Sequence, residues 1–326
     1  MSHPEPPLPR RDLLRNATLA AAALVLRAPL AACARESPRV PRTERLAASP
    51  PADPDHARLR EWTAALRADG LSGPGSPLGP SATRVGDLAA GTPYEASTLE
   101  AYLRAGGSPA DTEPLTLSLT RFDCVTLVEA CLAVARVADD EGAPTWEGFG
   151  EEVERMRYRG GARRDYPSRL HYFSEWIADG RKRGLLEDLG VELGGVEDAR
   201  PLRFMTEHRG SYPALAEDGV FREIGAVERR LDGRPRRVIP TERIPDVAHR
   251  IETGDVLAFA TAIPGLDVTH AAFAYRGPEG ILRVLHAPLS GGVVEVTRAT
   301  LPEYVAAIRR STGVLVARPV RGTVRG

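Results

Sequence analysis

Residues 53–70, DPDHARLREWTAALRADG, set Leu59, Trp62 and Leu66 three and four positions apart, between an acidic opening and a closing Gly70. That spacing predicts an amphipathic helix. The same period recurs in RFDCVTLVEACLAVAR, residues 121–136. There Asp123 is a good N-cap, and positions 124, 128, 131 and 135 share a face expected to pack inward. Further helical stretches at 147–158 and 169–183 fall in a mixed region, 140–250, that also holds strand-like pieces such as RRVIP. From Asp255 the period drops to two. DVLAFATA, THAAFAYR, ILRVLHA, GVVEVT and GVLVARP lie between Gly and Pro punctuation and read as strands, with one helix, LPEYVAAIRRS, among them. Helices first and strands later predict an α+β domain built on an antiparallel sheet.

The N-terminus follows a different pattern. Arg10 and Arg11 precede an apolar run from Ala17 to Leu26, too short for the roughly 20 residues that cross a bilayer. It resembles a twin-arginine export signal. Leu30-Ala31-Ala32-Cys33 resembles a lipobox, which would make Cys33 the lipidated first residue of a periplasmic or membrane-anchored protein; plain cleavage nearby without lipid is the alternative. Residues 34–52 are Pro-, Ser- and Arg-rich with no apolar face, the texture of a flexible linker. The expected organisation is a signal over 1–33, a linker over 34–52 and one domain over 53–326.

Composition narrows the function classes. The formal net charge of the 326-residue chain is −1, and its arginines are scattered among acids. There is thus no basic footprint for nucleic acid. The three cysteines are Cys33, Cys124 and Cys131. On one helix Cys124 and Cys131 would lie about 10 Å apart, beyond the roughly 7 Å that a disulfide tolerates. Each therefore needs its own role. Cys131, two turns into the helix, reads as core. Cys124 stands at the first helical position, where unpaired N–H groups and the helix dipole favour a thiolate and could bind an oxyanion. A small buried hydrophobe is its bland alternative.

A nucleophilic thiol needs a base, and the base needs a group that fixes its tautomer. In THAAFAYR, His270, Ala272 and Ala274 share one strand face, and in ILRVLHA so do Leu282, Val284 and His286. A short hairpin centred on Pro278 would pair His270 directly with His286. The small Ala272 and Ala274 would let the cysteine helix approach on the His270 face. Cys124 as nucleophile, His270 as base and His286 as orienter then form a complete set.

These pieces resemble the NlpC superfamily of papain-like cysteine hydrolases: GTPYEAS at 91–97, FDCVT at 122–126, TGDVLAF at 253–259, DVTHAAFA at 267–274 and VLHAP at 284–288. Over roughly residues 85–320, PYEASTLE, DCVTLVEACLAVAR, YPSRLHYFSEWIADG and GLDVTH are similar to its N-acetylmuramoyl-L-alanine amidase-like branch. The resemblance implies a papain-like fold, with the Cys helix packed on an antiparallel sheet and a long insertion between Cys and His. It implies Cys124 as nucleophile, His270 as general base and His286 as third residue. It also implies that Tyr94 stands beside the nucleophile to help bind the oxyanion. Arg169 and His171, in the insertion, would be substrate contacts, or else parts of a helix that simply docks on the core.

Two positions depart from the common pattern. Asp-Cys-Val-Thr stands where the wider superfamily has Asp-Cys-Ser-Gly, which fits the amidase-like branch, and Ala272 stands where glycine is usual. The implied reaction cleaves the amide between N-acetylmuramic acid and L-alanine in peptidoglycan fragments, with no metal or organic cofactor. A stem-peptide endopeptidase with the same triad and an inactive wall-binding lipoprotein are the competing expectations.

Overall fold

The computed structural model describes residues 53–289 and 292–321. The export signal, the linker and Cys33 lie outside the described residues.

Six helices come first. They are α1 (Pro54–Ala68), α2 (Leu78–Leu88), the single turn α3 (Ala101–Arg104), α4 (Cys124–Val137), α5 (Trp146–Arg157) and α6 (Phe173–Lys182). Asp53 caps α1 through its side chain, as its position predicts. The second long helical stretch begins later than its periodicity suggests, because residues 166–168 form a 3-10 turn around Pro167. The chain continues through β1 (Leu186–Asp188), β2 (Val196–Asp198), α7 (Phe204–Glu207), α8 (Asp218–Leu231), β3 (Arg236–Pro240) and α9 (Ile244–Val247). It closes with β4 (Val256–Thr261), β5 (Val268–Arg276), β6 (Leu282–His286), β7 (Glu295–Val296), α10 (Leu301–Ala307) and β8 (Ser311–Pro319). Helix α10 stops short of its predicted end, and Arg310 just beyond it takes a left-handed conformation at φ 65°.

The strands form one eight-stranded antiparallel sheet in the order β2-β3-β8-β4-β5-β6-β7, with β1 also on β8. Strand alternation divides its side chains between two cores. Val256, Ala258, Ala271, Phe273 and Leu285 pack against Leu127, Val128 and Cys131 of α4 and the other N-terminal helices. Leu257, Phe259, Ala272, Ala274 and Val284 pack against Ile244 and Val247 of α9 and Leu301 and Val305 of α10. The expected approach of α4 to the Ala272/Ala274 face is thereby corrected. That face is covered by α9 and α10, and the body of α4 lies on the Ala271/Phe273 side.

Helix α4 also differs from an amphipathic element, since every residue from Leu127 to Ala135 is buried. The one acid in that span, Glu129, is tolerated because Arg157 Nε donates to its carboxylate at 2.7 Å. A buried ion pair of this kind is costly to break from one side. The insertion has a core of its own, formed by Tyr166, Tyr172, Met205, Leu215, Val220 and Ile224. It ties to the loop before β5 through the N–H groups of Arg203 and Phe204, which donate to Gly265 O. The Ser174 N–H likewise donates to the buried Asp267 carboxylate at 2.8 Å. The YPSRLHYFSEW segment thus holds the entry to the His270 strand.

Gly254 is required by contact as well as by torsion. Gly254 opens β4 at φ +90°, and a Cβ there would sit 2.1 Å from the Gly79 backbone of α2. Gly254→Ala should destabilise the fold by about 3 kcal/mol, because it combines left-handed strain with a backbone clash. Urea unfolding checks this, and a loss within experimental error would sink it.

Candidate active site

The tip of α4 is built by its own sequence. Asp123 Oδ1 accepts from the N–H groups of Val125 at 3.0 Å and Thr126 at 2.7 Å, while Thr126 Oγ1 accepts from the Asp123 N–H at 2.8 Å. This closes a capping box with threonine in the place usually held by Glu or Gln. It commits the second and third helical N–H groups, so the Cys124 N–H is the one left at the tip for a developing oxyanion.

Backbone pairing outside the regular strands fixes where that tip lies. Strand β7 pairs with β6, matching His286 to Glu295. The segment just before β7 pairs with Thr92–Tyr94, because the Gly91 N–H donates to Val294 O, the Val294 N–H to Thr92 O and the Tyr94 N–H to Gly292 O. Tyr94 in turn bridges Phe122, whose N–H donates to Pro93 O. The residue after Phe122 is the N-cap of the cysteine helix. Histidine strand, tyrosine turn and cysteine tip are therefore joined by a continuous run of hydrogen bonds.

The two histidines meet, though not in the expected register. Strand β5 pairs Phe273 with Leu285 and Arg276 with Leu282, so Ala272 falls across from His286 and His270 is its diagonal neighbour. The shift arises because the turn, residues 277–281, centres on Glu279 and not on Pro278, with Gly280 at φ +77°. Long side chains bridge a diagonal pair, and His270 Nε2 lies 2.8 Å from His286 Nδ1. The His270 ring stacks on Phe259 at 5.7 Å, and the Tyr304 hydroxyl lies 3.2 Å from His286 Nδ1. The Cys124 thiol reaches the backbone N–H of Ala271, the residue after His270. Among the described residues no hydrogen bond joins the thiol to the His270 ring, whose Nδ1 is the nitrogen left for it.

Burial dominates the electrostatics. It pushes the Cys124 thiol up to about 12, with the Asp123 carboxylate adding to the rise, against the lowering effect of the N–H groups of Ala271, Cys124 and Val125. The acidic thiol expected from a helix tip is thus overturned: desolvation of the charged form outweighs the helix end. Burial also draws His270 down to about 3, assisted by His286, and His286 down to about 4. The resting site is a neutral thiol beside neutral imidazoles. Burial raises the Tyr94 and Tyr304 hydroxyls to about 12 each, and both lie close enough for a charge on Cys124 to add to that rise.

Arg169 and His171 are engaged elsewhere. Arg169 is buried, donates to Glu100 Oε1 at 2.5 Å, approaches Glu113 at 3.6 Å and covers the Tyr166 ring. His171 Nε2 lies 2.8 Å from Tyr166 O, and its ring packs on Tyr166. Arg169 ties the insertion to Glu100 and Glu113, and His171 packs within the insertion. Cys131 is fully buried, with its thiol pushed up by burial. Two residues at the site escaped the sequence reading. Tyr304 lay in a stretch read only as a helix, and Glu295 in a strand read only for its apolar positions; neither carries a local signal.

The chain is thus an α+β protein with a thiol at a capped helix tip, next to a bonded histidine pair on an antiparallel sheet. The family model described as AmiA-like, N-acetylmuramoyl-L-alanine amidase-like, matches residues 84–313, and the chain belongs to that family. A Bacteroides uniformis structure described as an N-acetylmuramoyl-L-alanine amidase is 28% identical, with a TM-score of 0.68 over 75% of this chain and 99% of that one. A Bacteroides fragilis structure described as a "putative xylanase" is 33% identical, with a TM-score of 0.65 over 72% and 98% of the two chains. Protein LPG0564 of Legionella pneumophila, assigned to family DUF1460, shares the fold at 17% identity and a TM-score of 0.58, over 82% and 95%. None of the curated proteins compared with the chain matches it.

Two outcomes follow from the electrostatics. With both histidine pKa values depressed on folding, the unfolded chain binds protons that the folded chain refuses once the pH drops below about 6.5. Stability should therefore fall from there towards about 4 for His286 and about 3 for His270. His286→Asn should flatten this loss, as judged by urea unfolding at about pH 7 and about pH 4.5; parallel curves for parent and variant would contradict it. Thiolate absorbance in the ultraviolet should be the same for the parent and Cys124→Ala at neutral pH. A difference of one thiolate would show that the helix end wins after all.

Proposed function

We propose that this chain is a cysteine-dependent amidase of papain-like, NlpC type. It hydrolyses the amide between N-acetylmuramic acid and L-alanine in peptidoglycan fragments. The observation that carries this reading is the 2.8 Å His270–His286 bond beside the Cys124 tip, in a chain whose family is named for that amidase activity. The muramic lactyl carbonyl lies against Cys124. As sulfur attacks, the thiol proton passes to His270 Nδ1, so a neutral thiol needs no prior ion pair. The Cys124 N–H and the Tyr94 hydroxyl hold the oxyanion. The imidazolium then protonates the departing L-alanyl amine, leaving a thioester. Water, deprotonated by His270, releases the muramic acid carboxylate and restores the thiol.

The donor set argues against sugar-bond cleavage. Glycosidases commonly use two carboxyl groups about 5–10 Å apart across the bond. Near this thiol, Asp123 is committed to the helix cap and Glu295 is half exposed on the far side of His286. The Arg10-Arg11 signal pattern supports export, and the Leu30–Cys33 pattern supports a lipid tether at Cys33, which together would bring the domain to cell-wall material.

Full-length protein and its Cys124→Ala variant, incubated with muramoyl-peptides, should differ in mass spectra. The parent releases intact L-alanyl peptide, and the variant is slower by at least about 10³-fold. Cleavage within the stem peptide would reassign the protein as an endopeptidase. Intact fragments with a sound fold would favour a wall-binding role.

A further inference from the structure

We propose that Glu295 is a positioning residue that sets the tautomers of the histidine pair and so keeps His270 Nδ1 free to accept a proton. The proposal rests on the reading of His270 as base. His286 is almost wholly buried, yet its Nε2 has no hydrogen-bond partner. A buried ring nitrogen left unpaired is costly. The carboxylate of Glu295, directly across the β6–β7 pair, lies 3.9 Å from it. It is half exposed, so a small rotation of that side chain closes the gap to a hydrogen bond.

Two neutral imidazoles joined Nε2 to Nδ1 can be wired in two ways. In the first, His270 Nε2–H donates to His286 Nδ1, and the His286 proton sits on Nε2. His270 Nδ1 then presents a lone pair to the thiol. In the second, His286 Nδ1–H donates to His270 Nε2, and His270 carries its proton on Nδ1, where it blocks the base position. Tyr304, 3.2 Å from His286 Nδ1, does not choose between them, because a hydroxyl donates or accepts equally. Glu295 does choose. An ionised carboxylate only accepts, so it attracts the Nε2–H of the first wiring and repels the Nε2 lone pair of the second. When His270 takes the thiol proton, the same carboxylate supports the positive charge from two rings away without itself moving a proton.

The test uses full-length protein labelled with ¹⁵N-histidine, with ring tautomers read from two-bond ¹H–¹⁵N correlations. The parent should show Nε2–H on both His270 and His286. Glu295→Gln keeps an acceptor oxygen but adds a donor, so it should loosen the pattern least of the three variants. Glu295→Ala should mix the tautomers, and Glu295→Lys, a donor only, should shift them to Nδ1–H. Alkylation of Cys124 by iodoacetamide at neutral pH should stay within about twofold in the Gln variant and fall about tenfold in the Ala variant. A side chain that merely packed would not sort the variants by acceptor capacity. Unchanged tautomers in both the Ala and Lys variants, or Nδ1–H on His270 in the parent, would overturn the proposal. If the Lys variant does not fold, the Gln and Ala pair decides. Neither readout uses a muramoyl substrate, so this proposal and the amidase reading can fail separately.

Discussion

The site depends on one stretch of backbone pairing that belongs to no long strand. Residues 91–94 bond on one side to the segment leading into β7 and on the other to Phe122. Each residue there makes at least one hydrogen bond across to a neighbour distant in the chain, which is what turns three separate motifs into one locus. Phe122 carries the helix cap, Glu295 and His286 face each other across the next pair, and β5 follows with His270. Without that short ladder the cysteine tip could slide along the sheet while every long element stayed intact. Pre-organisation to within about half an ångström is what such chemistry demands, and buried, paired backbone supplies it better than a free loop.

The second organising fact is that burial outweighs the other influences on the tip's protonation, although the Cys124 residue itself is only partly buried. A helix end and three nearby N–H groups favour a thiolate, yet burial and the Asp123 carboxylate override them. The same burial keeps both imidazoles neutral. A site of this kind stores no ion pair in the resting state. In the proposed reaction the proton would move only when a substrate carbonyl arrives, so the orientation of the imidazole wiring would matter more than in a preformed thiolate–imidazolium pair.

The insertion supports the sheet. Its own core of Tyr166, Tyr172, Met205 and Ile224, and its ties to Gly265 and Asp267, brace the loop from which β5 departs. Arg169, with Glu100 and Tyr166, belongs to that brace.

Much was legible in the chain itself, and for local reasons. The α1 period, the Asp123 cap, the alternation of β4, β5 and β8 and the shared faces of His270 and His286 are each set by residues within a few positions, where sterics and capping act. The family motifs, kept in order, pointed to the same cysteine and histidines. What needed the tertiary structure was every choice made by distant partners. The Ala272/Ala274 face went to α9 and α10 because the larger N-terminal core claimed Phe273 and Ala271. Helix α4 could be buried on all sides only because Arg157, from another helix, neutralises Glu129. The hairpin register followed a turn centred on Glu279, one residue beyond Pro278, and the glycines at 277 and 280 flank either centre. Tyr304 and Glu295 came to the histidines through packing and cross-strand pairing, which leave no mark in the sequence around either residue. Local sequence specified the elements and the reactive groups. Long-range burial decided which groups met and in which protonation state.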